Sequence, residues 1–94
     1  MAKGDDFILR AERNGKPRSY CYIRKSMSRY HKARVESDKK LALKYLEDAM
    51  QFIKIADDSL SDNDSYYAKN KNTIIEYKNV KIPKQIYFTR NRKI

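Results

Sequence analysis

Residues 7–35, FILRAERNGKPRSYCYIRKSMSRYHKARV, alternate apolar and polar positions in three short segments, and parity sorts them by chemistry. Odd positions carry Phe7, Leu9 and Ala11, then Cys21 and Ile23, then Ala33 and Val35. Even positions carry Arg10, then Arg18, Tyr20, Tyr22 and Arg24, then Tyr30, Lys32 and Arg34. Successive side chains of a strand point to opposite faces, so this alternation predicts a small sheet, apolar on one face and basic and aromatic on the other. A five-residue loop over residues 13–17 keeps like parity opposite like. A two-residue Asn14-Gly15 turn would exchange the faces. The longer loop is preferred because it takes Pro17 out of the ladder and leaves Arg18 and Arg24 in water.

The same residues admit a second reading. Ile23, Met27, Tyr30 and Arg34 are spaced as one face of a helix, and a basic helix over residues 24–36 leading into another would be helix-turn-helix-like. Val35 and the Tyr-rich run favour strands, and the strand reading is the one adopted.

Beyond residue 36 the pattern is helical. Ser37 is a suitable N-cap, with Asp38 complementing the helix dipole in the first turn. Leu41, Ala42, Tyr45, Leu46, Ala49, Phe52, Ile53 and Ala56 form a continuous apolar stripe opposite Lys40, Lys44, Glu47, Asp48, Gln51 and Lys54. The helix should stop near Asp58-Ser59, where Ser61, Asp62, Asn63, Asp64 and Ser65 favour turns. Two β-like runs follow, residues 73–82 and 85–89, separated by Pro83-Lys84, and Arg90, Arg92 and Lys93 form a basic tail. The expected fold is α+β: a three-stranded antiparallel sheet packed on one long helix, with additional C-terminal strands. Residues 1–60 hold the sheet and helix; residues 61–94 hold the acidic loop, the last strands and the tail, within the same domain or appended to it.

Charge is unevenly placed along the 94 residues, whose formal net charge is +10. Residues 1–36 carry ten basic and four acidic groups, residues 37–64 four and seven, and residues 65–94 eight and one. Such asymmetry points to a polyanionic partner. No apolar run reaches the roughly 20 residues that cross a bilayer, and no signal-like apolar segment opens the chain, so no membrane association is expected. The single Cys21 has no internal disulfide partner, which fits a reducing cytoplasm, and its apolar-patterned position suits a buried thiol.

The usual catalytic sets are missing from the sequence. His31 is the only histidine and Cys21 the only cysteine, so no Cys/His zinc set can form. Two glycines cannot build a glycine-rich phosphate loop, and Asp57, Asp58, Asp62 and Asp64 do not have the spacing of a calcium loop. No enzyme activity and no cofactor are expected.

Three strands followed by Arg34-Val35-Glu36-Ser37-Asp38-Lys39-Lys40-Leu41-Ala42-Leu43-Lys44-Tyr45-Leu46-Glu47-Asp48-Ala49 resemble the arm-binding domains of phage-type integrases and the related AP2-like modules, over about residues 7–56. Ala42 and Ala49 match the small residues with which the helix of those families packs on the sheet. The resemblance implies a sheet face that enters the major groove of DNA.

From the residues themselves, Arg10, Arg18, Arg24, Arg29, Lys32 and Arg34 suit phosphates, and Tyr20, Tyr22 and Tyr30 suit bases or sugars. Arg90 and Arg92 add charge from the tail. The function expected is binding of DNA or RNA, in a small Lys- and Asn-rich protein of phage or mobile-element type. The rival is a phage-encoded inhibitor, for example an anti-CRISPR protein, contacting a host nucleoprotein enzyme or its guide RNA. Dimerisation through the C-terminal strands is a further expectation.

Overall fold

The computed structural model describes residues 18–92. Among them every regular element is helical: α1 (Arg18–Val35), α2 (Lys39–Ser59), α3 (Tyr67–Glu76), a π-helical segment (Tyr77–Lys81) and α4 (Ile82–Arg90). The expected sheet is overturned. Its second and third strands are one unbroken helix, α1, and both C-terminal runs are helical as well. The first strand, with Arg10 and the Asn14-Gly15 loop, lies outside the described residues.

The reason is a period that parity obscured. Ser19, Ile23, Ser26, Tyr30 and Ala33 are all buried on α1, at steps of four, three, four and three. On α2 the buried residues are Ala42, Leu46, Ala49, Ile53 and Ala56, at the same steps. Each stripe alternates small and large residues, with the small one returning every seventh position, the repeat that keeps a helical seam facing its partner. The helices run antiparallel: Tyr22 meets Phe52, Ser26 meets Ala49 and Lys32 meets Tyr45. Small side chains let the backbones approach closely. The Ser26 hydroxyl accordingly donates to the main-chain oxygen of Ala49 at 2.7 Å.

Parity had placed Val35 on the apolar face and Tyr30 on the basic one. In the helix Val35 is 85% exposed and Tyr30 only 8%. Strand propensity of Tyr and Ile is a packing preference, and packing against α2 outweighs it.

The turn between the two helices is short. Asp38, one residue beyond the expected Ser37, is the N-cap of α2, and its Oδ1 accepts from the backbone N–H groups of Lys40 and Leu41 at 3.0 and 3.4 Å. The helix ends at Ser59, where the turn-forming residues begin. Leu41, expected in the stripe, is exposed, and Tyr45 and Phe52 lie half-buried on its margin.

In the following loop the Asp64 carboxylate accepts from the Ser61 N–H and the Ser19 hydroxyl, at 3.3 and 3.2 Å. This joins the loop to the first turn of α1, where negative charge suits the helix dipole.

The C-terminal elements close the core with Ile74, Tyr77 and Ile82, which pack with the α1–α2 residues in one cluster. Pro83, expected at a turn or sheet edge, sits in the first turn of α4. In a regular α-helix its ring would press on the carbonyl of Asn79. The π segment relieves this by widening the turn just before it, with Ile82 N–H bonded to the Tyr77 oxygen.

Arg92 does not belong to a loose tail. Its guanidinium donates to the Glu36 carbonyl at 3.2 Å, just past the end of α1, where a cation complements the dipole.

Candidate nucleic-acid interface

The α1 segment carries Arg18, Arg24, Lys25, Arg29, Lys32 and Arg34 and no acidic residue. At 1.5 Å per residue this is six cations on a rod of about 27 Å. Helical geometry divides them. Arg18, Lys25, Arg29 and Lys32 share a row with Tyr22, displaced by one position from the buried stripe, while Arg24 and Arg34 lie on another side of the helix.

The first row runs along the α1–α2 seam and interleaves with aromatic rings from both helices. The Arg18 guanidinium lies 5.1 Å from the Tyr22 ring centre, and the Lys25 ammonium 5.3 Å from Tyr22 and 5.4 Å from Phe52. Arg29 lies 5.9 Å from Phe52 and Lys32 4.7 Å from Tyr45. The Tyr22 and Phe52 rings are themselves 6.0 Å apart. The rings shield the apolar seam and attract the cations, which keep their charged ends at the margin. The result is a line of positive charge held against a rigid helix pair.

The expected site residues thus separate. Arg18, Tyr22, Arg29 and Lys32 come together in this ladder, although Tyr22 is a support for cations and not an open platform. Tyr20 is half-buried beside Cys21, which is fully buried as expected. Arg24 is exposed away from the ladder. Tyr30 belongs to the core, edge-on to Tyr77 with ring centres 5.3 Å apart. Arg90 is exposed in the last turn of α4, and Arg92 is held by Glu36. Sequence reasoning missed Lys25, Tyr45 and Phe52. For Lys25 the signal is the row 18, 22, 25, 29, 32, which becomes visible once α1 is read as a helix, whereas Tyr45 and Phe52 on α2 are brought to it only by the antiparallel packing.

Arg34 belongs to a second surface. It borders an open groove of about 420 Å³ between the end of α1 and the π–α4 segment, together with Tyr30, Val80, Lys81, Lys84 and Phe88. His31 reports the field nearby. Its pKa is held below the usual imidazole value by loss of water where the ring packs on the protein, then by the charges of Arg34, Lys81 and Arg24.

One carboxylate near cations, Asp57, ties elements together. Asp57 on α2 receives Lys71 at 2.9 Å and Lys78 at 3.0 Å, pinning α3 and the π segment to α2. These two hydrogen bonds, Lys71's first, hold its carboxyl below the ordinary range against an opposing cost of burial. Lys71 is correspondingly raised. Among the described residues no three His, Cys, Asp or Glu side chains are grouped to hold a metal ion, and no helix is long and apolar enough to cross a membrane.

Comparison with known proteins adds no relative. No family model matches the chain, and no curated protein or solved structure does either.

Proposed function

We propose that this is a non-catalytic nucleic-acid-binding protein that lays the α1–α2 seam along a phosphate backbone. The observation that carries the reading is the acid-free α1 helix, with Arg18, Lys25, Arg29 and Lys32 lined up over Tyr22, Phe52 and Tyr45. A regular row of cations neutralises successive phosphates and releases their counterions, giving affinity without base contacts. The cytoplasm is the location that goes with this reading, as does a phage or mobile-element source.

The test is anisotropy of a fluorescent oligonucleotide titrated at several salt concentrations. Lys25→Gln with Lys32→Gln removes charge while keeping most of the aliphatic stem over the rings. The double variant should bind more weakly, with a log-log salt slope shallower by about 1.5, and stay folded, losing no more than about 0.5–1 kcal/mol for each cation–π contact removed. Wild-type affinity in that variant would remove the ladder from the interface.

An inhibitor of a host nucleic-acid-handling enzyme, the anti-CRISPR type included, is the second reading. It draws support from the exposed apolar Val80, Tyr87 and Phe88 beside the basic groove. A single stoichiometric protein retained after nuclease treatment, with no oligonucleotide binding by the purified chain, would favour it.

A further inference from the structure

The two basic surfaces differ in what their aromatic rings can do. Along the α1–α2 ladder every ring lies under cations: Tyr22 beneath Arg18 and Lys25, Phe52 beneath Lys25 and Arg29, and Tyr45 beneath Lys32. All three are half-buried. A base reaching those rings would have to enter the half-buried seam between the two helices.

On α4 the rings are more exposed. Tyr87 is 64% and Phe88 54% exposed, edge-to-face with ring centres 5.9 Å apart. One cation, the Lys84 ammonium, lies 5.9 Å from the Phe88 ring centre. Phe88 forms one wall of the groove that also receives Arg34, Lys81 and Lys84. Glu76 is the one carboxylate among the groove's lining residues, and it lies 3.9 Å from Lys81. Two positive charges therefore remain in excess around an apolar wall. The groove falls within the roughly 300–1,000 Å³ range of small-ligand sites.

We propose that this groove holds an unpaired nucleotide, its base stacked on Phe88 and its phosphates on Arg34, Lys81 and Lys84. The inference rests on the nucleic-acid reading above and extends it: the ladder supplies affinity for any phosphate backbone, and the groove makes the protein prefer single strands. Every base has a π-face, so stacking of this kind tolerates any sequence. A base inside a duplex has both faces occupied and reaches a ring only after unstacking. An acidic peptide would satisfy the cations but leave the exposed Phe88 ring without a stacking partner.

The experiment compares a short fluorescein-labelled oligothymidine with a duplex of equal length, at fixed salt, against wild type, Phe88→Leu and Phe88→Trp. Leucine keeps apolar bulk but has no π-face; tryptophan keeps stacking. Wild type should bind the single strand more tightly. Phe88→Leu should lose about fivefold or more on the single strand and little on the duplex. Phe88→Trp should retain or exceed wild-type binding. Thermal melts of both variants should match wild type, since Phe88 is more than half exposed.

Equal binding of both oligonucleotides, untouched by Phe88→Leu, would overturn the groove proposal and leave the ladder standing. Failure of wild type to bind either oligonucleotide would overturn both readings. Binding of polyglutamate in a Phe88-dependent manner, with no oligonucleotide bound, would assign the groove to an acidic protein segment.

Discussion

His31 offers a single-residue probe of the proposed groove. It is the only histidine in the chain, so one imidazole resonance reports it without assignment ambiguity. Packing, then Arg34, Lys81 and Arg24, lower its pKa, so an NMR titration should find a midpoint below 6.5. Phosphates settling on Arg34 and Lys81 should move that midpoint up; a binding-saturated oligonucleotide that leaves it unmoved has bound elsewhere. Asp57 is the corresponding probe of stability. Its folded pKa lies below the unfolded value of 3.8, so its contribution is present above that value and is lost as pH falls through the folded pKa. Lys71, raised above 10.5, keeps its side of the pair charged until pH rises past the folded pKa. Asp57→Asn should therefore lower stability by about 1 kcal/mol across the neutral range, after allowance for solvent screening, which is roughly 4–8 °C in Tm. The gap between wild type and variant should close in acid, and a gap that persists there would show that the loss is not ionic.

The α1–α2 hairpin depends on small residues returning every seventh position, which yields a prediction at the level of the element. Ala49→Leu adds bulk where the Ser26 hydroxyl reaches the Ala49 carbonyl and should cost roughly 1–3 kcal/mol or more by urea denaturation. Leu46→Ala, a deletion at a fully buried large position of the same stripe, should cost about 2–5 kcal/mol. Tolerance of both would mean that the helices do not meet along this stripe. The α2 helix was legible from its sequence, including its apolar stripe and its end. The α1 helix was legible only as the second reading over residues 24–36 and was set aside for strands, because two of its five seam positions are Ser19 and Ser26, which read as polar. A serine belongs in such a seam when its hydroxyl finds a partner, and those partners are Asp64, 45 residues away, and Ala49, 23 residues away. Residues 73–89 misled for a similar reason: Ile, Tyr and Val suit strands, but here Ile74, Tyr77 and Ile82 are drawn to one face by the α1–α2 core.

Across the whole molecule, charge is distributed by element. The α2 helix carries four basic and four acidic residues, whereas α1 carries six basic and none acidic. Residues 67–92 carry seven basic residues and one acidic. The excess positive charge therefore lies on α1 and the C-terminal elements, while α2 is neutral. If the four ladder cations are each matched to a phosphate the duplex salt slope should be about −4, and with the three groove cations also engaged the single-strand slope should be about −5. A slope near zero would separate binding from these cations altogether. Groove and ladder should also act independently: Phe88→Leu should leave the salt slope intact, and Lys25→Gln with Lys32→Gln should leave the preference for single strands intact.

Composition and local pattern alone settled the positive charge and its avoidance of the middle segment, and they placed the α2 helix with its turn-rich end, because these properties depend on residues close together in the chain. Whether α1 is extended or helical was beyond their reach. Arg and Tyr are amphipathic and satisfy a period of two as readily as 3.6, so the choice passed to contacts between residues far apart. The packing of Ser26 and Ala33 against α2, and of Ser19 against the loop that follows it, made that choice, and with it the grouping of the cations. The same packing withdrew Tyr30 into the core and put Tyr22 under Arg18 and Lys25, leaving Tyr87 and Phe88 as more exposed rings, Phe88 in the groove wall.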